Sequence, residues 1–247
     1  MIQDFQSSEQ PTYRIILREA LACLAWGVCY PLGIRKSQKR TRREPSQRTI
    51  VFVHGYLSNP ASFFPLLAYL KSIGKKQTLS FRYSSKTGVE TAAKELRDFL
   101  RERVRGGRVD LVCHSLGGVI ARVYIQDLGG HRKVDRCITL GTPHLGTYNS
   151  YWLNTRVGRD LRPDSPLMKR FAMAPPLSRP VKFVSIVGGA DNIVVPRVFA
   201  AFENTIHLPD VGHVGLLFSP RVFFEVANQL QLSNQNSHGD TAVRNQG

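Results

Sequence analysis

Val109-Asp110-Leu111-Val112-Cys113-His114-Ser115-Leu116-Gly117-Gly118 is the stretch from which the fold can be read. Val109, Leu111 and Val112 make an apolar run of the kind buried in a parallel sheet, and residues 116–128 carry apolar side chains at helical spacing. A sharp turn must join the two. Ser115 stands in that turn, so its hydroxyl is presented at the C-terminal edge of the sheet and it is the candidate nucleophile. The N–H of Leu116 opens the helix and is a candidate oxyanion donor, because the first amides of a helix lack intrahelical partners.

His-Ser-Leu-Gly-Gly resembles the nucleophile elbow of the α/β-hydrolases in the form found in bacterial lipases and esterases. Cys113 departs from the pattern, standing where the family usually has its first glycine. The resemblance implies a mostly parallel central sheet with helices on both faces and a short cap, here at about residues 144–180. Residues 48–53 read as a strand ending in His54-Gly55-Tyr56-Leu57, which resembles the family's His-Gly loop. That implies Tyr56 as second oxyanion donor, with Leu57 the alternative; His54 is read as structural. Gly141-Thr142-Pro143-His144-Leu145-Gly146 also resembles lipases.

A serine hydroxyl is a weak nucleophile, needing an imidazole to take its proton and an acid to hold that imidazole's tautomer. Strands read at 181–187 and 205–208 run into Asp191 and then Gly212-His213. The family's order of serine, acid and histidine implies Ser115, Asp191 and His213 as the catalytic residues. Asp210 is the rival acid because it lies close to His213, while His131, His144 and His207 stand in less suitable contexts. Leu57, Tyr148, Trp152 and Val214 are the expected substrate-binding residues. Neither metal-ligand spacing nor a dinucleotide fingerprint is present, so the chemistry is expected to need no cofactor and no metal.

Further out, residues 63–73 read as a helix, 77–81 as a strand, 89–105 as an amphipathic helix and 134–140 as a strand. Strands alternating with helices argue a parallel sheet. The 247 residues fit one α/β domain over 48–231, flanked by residues 1–47 and a polar tail, 232–247, expected to be disordered. The four cysteines, Cys23, Cys29, Cys113 and Cys137, are read as reduced thiols.

The net charge of +16 points to an anionic partner. Much of it sits in Arg35, Lys36, Lys39, Arg40, Arg42, Arg43 and Arg48, directly after the apolar residues 15–34. Arg18 and Glu19 cut that run to about fifteen uncharged residues, short of the roughly twenty that span a bilayer, and Pro31 is expected to end the helix. The helix is read as lying in a membrane interface, with Trp26 and Tyr30 at headgroup depth and the basic cluster on anionic lipid. Packing against the domain is the competing reading. The expected location is the cytoplasmic face of a membrane, with a soluble cytoplasmic protein as the alternative. The expected activity is hydrolysis of lipid-like carboxylic esters through an acyl-enzyme on Ser115. A thioesterase or acyltransferase with the same residues, and a non-catalytic basic module binding membrane or nucleic acid, are the alternatives; no nucleic-acid motif is present.

Overall fold

The computed structural model describes residues 12–33, 48–75, 77–104, 106–174, 177–195 and 204–236, with side chains as far as residue 230. Six strands, β1 (Thr49–Val53), β2 (Thr78–Phe81), β3 (Val109–His114), β4 (Val134–Leu140), β5 (Lys182–Gly188) and β6 (Thr205–Leu208), form one sheet in the order β2-β1-β3-β4-β5-β6. Every neighbouring pair is parallel. The chain first steps from β1 outward to β2, then returns past β1 to β3 and proceeds the other way. The loops after β1 and β3 therefore flank the crevice where such a sheet opens to a ligand.

Alternation along each strand divides the core into two layers. Val51, Val53, Leu111 and Cys113 face α3 (Val89–Arg103) and α4 (Leu116–Asp127), which contribute Leu96, Leu100, Val119 and Ile120. Ile50, Phe52, Val112 and Ile138 face α2 (Phe64–Ser72) and α7 (Pro220–Asn236), which contribute Leu66, Leu70, Val222 and Val226. At the N-terminal edge of the sheet, Arg48 pairs with Asp110 and Asp135, and Arg108 also pairs with Asp135. Arg48 is thus committed to the opposite end of the molecule from Ser115 and is not part of a headgroup-facing cluster. The other basic residues of that cluster, and Pro196, lie outside the described residues.

Residues 144–180 contain no strand among the described residues, only a 3-10 turn at Tyr148–Trp152, α5 (Arg156–Asp160) and α6 (Pro166–Ala172). Arg122 of α4 holds this segment down, donating to the carbonyls of His144 and Phe171 with its guanidinium over the Phe171 ring.

The apolar N-terminal run forms α1 (Thr12–Cys29), which ends two residues before Pro31 as expected, and the chain goes on as a 3-10 turn through Tyr30–Gly33. Proline is tolerated near the start of a new helical turn, where its missing N–H costs nothing. By length and composition the 22 residues Thr12–Gly33 suffice to cross a membrane. Their contacts describe a different arrangement. Arg18 pairs with Asp210, Glu19 bonds the amides of Val214 and Gly215, Trp26 donates to Ser58 Oγ, and the Tyr30 carbonyl accepts from Asn59. These anchors run from the second turn to the end, so the helix lies along the domain across the loops after β1 and β6.

Trp26 and Tyr30 accordingly face the domain rather than a headgroup layer, because the indole N–H finds its partner there and Tyr30 packs edge-on against the indole. The apolar side chains Ile16, Leu17, Leu21, Leu24, Val28 and Leu32 point outward, each more than half exposed. At the other terminus, α7 runs to Asn236, past the expected start of a tail at 232. Its buried face of Val222, Phe223, Val226, Ala227 and Leu230 nucleates the helix, and extending a formed helix costs little.

Candidate active site

The turn between β3 and α4 holds Ser115 at φ 51° and ψ −123°, a region L-residues avoid. Among the described residues Leu57, at φ 50° in the loop after β1, is the other non-glycine with positive φ. Each such residue costs about 1–3 kcal/mol and persists where its surroundings hold it, as at ligand and active sites. At Ser115 the amide donates to the Leu140 carbonyl at 2.9 Å, and the Ser115 carbonyl accepts from Gly118 N and Thr142 Oγ1, both at 3.0 Å. A Cβ at Gly117 would strike the carbonyls of Val53 and His54, and one at Gly118 the Thr142 side chain. At Gly55 it would stand 3.1 Å from Ser115 Cβ. Cys113 is accommodated in the core layer beside Cys137, where burial and then a hydrogen bond with Cys137 push its thiol pKa well up.

His213 follows β6, and its Nδ1 donates to Asp191 Oδ2 at 2.6 Å. Asp191 Oδ1 accepts the amides of Ile193 and Val194 at 2.8 and 2.9 Å. Burial works to raise the Asp191 pKa, but the His213 hydrogen bond and charge together with these two amides outweigh it and hold the group below its ordinary value. An ionised carboxylate only accepts, so the proton of neutral His213 is on Nδ1 and Nε2 is left as the acceptor. A Cβ at Gly141, at the end of β4, would come within 3.1 Å of Asp191 Oδ2 and 3.2 Å of His213 Nδ1, which is why the chain carries glycine there. Asp210 is engaged elsewhere, between Arg18 and Arg221.

Of the other described histidines, His207 lies within β6 and four more are held by named partners. His54 stacks on Tyr83 with Nδ1 3.0 Å from the Gly55 carbonyl, and burial lowers its pKa to about 4, with Arg82 adding to the effect. His144 shares a 3.0 Å hydrogen bond with Thr139 Oγ1. His131 contacts Ser178 Oγ at 3.0 Å. His114 donates from Nε2 to the His213 carbonyl at 3.1 Å, and burial, then the His213 charge, lower its pKa to about 3.

Leu116 occupies the first position of α4, ahead of the helix's own ladder. The Leu57 amide donates to Ser85 Oγ at 3.2 Å, so of the two amides expected from that loop it is the one already engaged. Leu57 and Tyr148 are exposed, at 55% and 57%, and Val214 is half-buried beside His213. The Tyr148 amide bonds the Val195 carbonyl at 2.7 Å, tying its turn to the Asp191 loop, whereas Trp152 stands outermost at 88% exposure. Sequence reasoning missed His114 and Glu19, which hold the backbone around His213. His114 was hidden by its place in the elbow motif, and Glu19 was seen only as a charge interrupting an apolar run. No group of three or more His, Cys, Asp or Glu among the described residues is placed to hold a metal ion.

The structure of mature Bacillus licheniformis lipase BlEst2 superposes with a TM-score of 0.62 at 18% identity, covering 78% of this chain and 96% of that one. Aspergillus fumigatus lipase B gives 0.62 at 14% identity over 73% of this chain and 51% of its own. Mouse alpha/beta hydrolase domain-containing protein 10 gives 0.55 at 17% identity over 80% and 93%. These likenesses are of fold. The sequence pattern of the palmitoyl protein thioesterase family matches residues 49–173, which contain the His-Gly loop, the elbow and most of the cap segment but end before Asp191 and His213. With just over half of its length matched, and with this sheet and elbow, the chain belongs to the palmitoyl protein thioesterase family of the α/β-hydrolase superfamily.

Proposed function

We propose that the protein is a serine acyl hydrolase that cleaves lipid-like acyl esters and thioesters at a membrane surface. The observation that carries this is the His213–Asp191 pair at the same sheet edge as a serine held in a left-handed elbow. Ser115 Oγ attacks the acyl carbon while His213 Nε2 takes its proton, and the oxyanion draws on the amides of Leu116 and Tyr56. His213 then gives the proton to the leaving oxygen or sulfur, releasing alcohol or thiol and leaving the acyl group on Ser115. Water repeats the sequence in reverse roles, releasing the acid and restoring the serine. Asp191 stabilises the imidazolium in both halves.

Membrane action is supported by where apolar surface is exposed. Most large apolar side chains that reach solvent belong to α1 or to loops leaving the C-terminal ends of β1, β4 and β5: Leu57, Leu145, Tyr148, Trp152, Ile193 and Val195 join the outward stripe of α1. Scattered exposed apolar residues are ordinary, but their concentration at one edge marks an interaction surface. The thioester reading is favoured by the family to which the chain belongs.

The test is turnover of p-nitrophenyl esters of increasing chain length, with acyl-CoA and phospholipid in parallel. Ser115→Ala should lose on the order of a millionfold in kcat, as a nucleophile does when its triad acts as a unit, and should escape labelling by a fluorophosphonate. A folded Ser115→Ala protein with near-normal turnover would sink the mechanism.

A further inference from the structure

Glu19 lies in α1, yet its carboxylate accepts the backbone N–H groups of Val214 at 2.6 Å and Gly215 at 2.9 Å, 195 and 196 residues along the chain. These are the two residues that follow His213. A Cβ at Gly212, just before His213, would collide with Glu19 Oε2, and one at Gly215 would stand 2.9 Å from it. The loop thus has glycine at the positions where a side chain would expel the carboxylate. Arg18, next on the helix, reaches Asp210 at 2.9 Å. From the inner side, the His213 carbonyl is held by His114 Nε2. The backbone at and after His213 is therefore held from outside by Glu19 and from inside by the residue preceding Ser115, while Arg18 bonds only Asp210, three residues earlier.

This grip acts where regular structure is scarce. The sheet ends at Leu208, and only the 3-10 turn Gly215–Leu217 intervenes before α7. An imidazole serving as base must keep Nδ1 on Asp191 while turning Nε2 to the serine, which requires its backbone to stay put. A carboxylate receiving two amides supplies charge-assisted hydrogen bonds, roughly twice as strong as neutral ones.

We propose that Glu19 is a positioning residue for His213, so that the helix bearing the outward apolar stripe also fixes the imidazole; this rests on His213 being the base. Glu19 touches no reacting atom. Its loss changes how often the imidazole is aligned, not how substrate is held.

The test compares full-length Glu19→Gln and Arg18→Ala with the wild type on p-nitrophenyl butyrate. Glu19→Gln should lower kcat by about ten- to a hundredfold, the scale of a displacement of about 1 Å at a reacting group, and leave KM within about twofold. Fluorophosphonate labelling of Ser115 should slow in proportion. Arg18→Ala, which loosens the same helix without touching the amides after His213, should keep the wild-type kcat. A folded Glu19→Gln protein with unchanged kcat, even with a lowered Tm, overturns the proposal; so does an Arg18→Ala protein that loses as much. Should Glu19→Gln fail to fold, Glu19→Asp, which keeps the charge at shorter reach, decides by the same division between kcat and KM. An error in the base assignment itself would show differently, as a wild type without turnover or a Ser115→Ala protein that keeps it. In that event the downfield NMR resonance of the His213 Nδ1 proton still decides, moving in Glu19→Gln if the helix orients the ring and staying fixed if it does not.

Discussion

Ser115 and Leu57 take backbone conformations that their own chemistry resists, and each is held there by the residues around it. Ser115 was legible because the elbow is local: strand, turn residue and the two glycines lie within one short stretch. The strain at Leu57 was not, since nothing in Gly55-Tyr56-Leu57 announces a positive φ, and the partner of its amide, Ser85, lies 28 residues away. Order along the chain brought forward Asp191 and Asp210, and it is Asp191 whose oxygens meet His213 and two backbone amides, while those of Asp210 are spent on Arg18 and Arg221. Asp191→Asn should lose about ten-thousandfold in kcat, as the equivalent change does in a serine protease, because the amide cannot stabilise the imidazolium and upsets its tautomer. Asp210→Asn should retain the chemistry, its change limited to the contact with Arg18 and Arg221; steady-state kinetics on both separate the two roles. The buried histidines give a second expectation. His54 and His114 hold pKa values of about 4 and 3 against an ordinary 6.5, each displaced chiefly by burial. Their folded values are lowered, so the unfolded chain takes up protons first as pH falls. The stability tied to their neutral forms is whole above 6.5 and drains away as pH drops toward 4 and then 3. One unit of difference is about 1.4 kcal/mol, so Tm should fall steeply across that window. A Tm that stays flat between those limits would contradict the burial of these rings.

Elements were easier to read than their contacts. The strands announced themselves as near-continuous apolar runs because both faces of a parallel sheet are covered, and their observed bounds sit within a residue or two of the expected ones. The first helix was legible as a helix, but not its orientation. Periodicity ranks residues by polarity, and in α1 the docking face contains Arg18 and Glu19 while the purely aliphatic face looks outward. A helix that turns its charges toward the protein inverts the usual pattern, and only the positions of Asp210, Val214 and Gly215 explain why. The inversion has a measurable consequence for lipid binding. Replacing Leu17, Leu24 and Val28 together by glutamine should leave the docked face, and so turnover of short soluble esters, unchanged. Full burial of each such side chain is worth roughly 1.5–3 kcal/mol, so affinity for vesicles should drop more than a hundredfold. Vesicle sedimentation reads the loss; unchanged binding would show that the stripe does not enter lipid.

At the scale of the whole molecule, apolar and ionic surfaces are segregated. The edge of the sheet bearing Ser115, with α1 across it, carries most of the exposed apolar side chains, and the opposite edge carries the network of Arg48, Arg108, Asp110 and Asp135. The excess charge of +16 belongs to a protein whose apolar edge would meet an anionic surface. Binding to phosphatidylserine vesicles should therefore weaken as salt rises, and changing Arg35, Lys36, Lys39 and Arg40 to glutamine should cost about 1 kcal/mol per residue, flattening that salt dependence. Titration at two ionic strengths checks both, and equal binding to neutral and anionic vesicles would remove the electrostatic part. The pairing of Glu19 with Val214 and Gly215 also sets an order of events during synthesis. The two sides of this contact are 195 residues apart, so at about 5–20 residues per second Glu19 waits roughly 10–40 s on the ribosome before its partners exist, although Ser58 and Asn59 are made much sooner. The helix's outward aliphatic side chains are exposed before docking and stay exposed after it, so it is the charged docking face that waits. On the proposed function, the helix can reach lipid before the loop around His213 has been made, and that loop then closes onto a helix already in place.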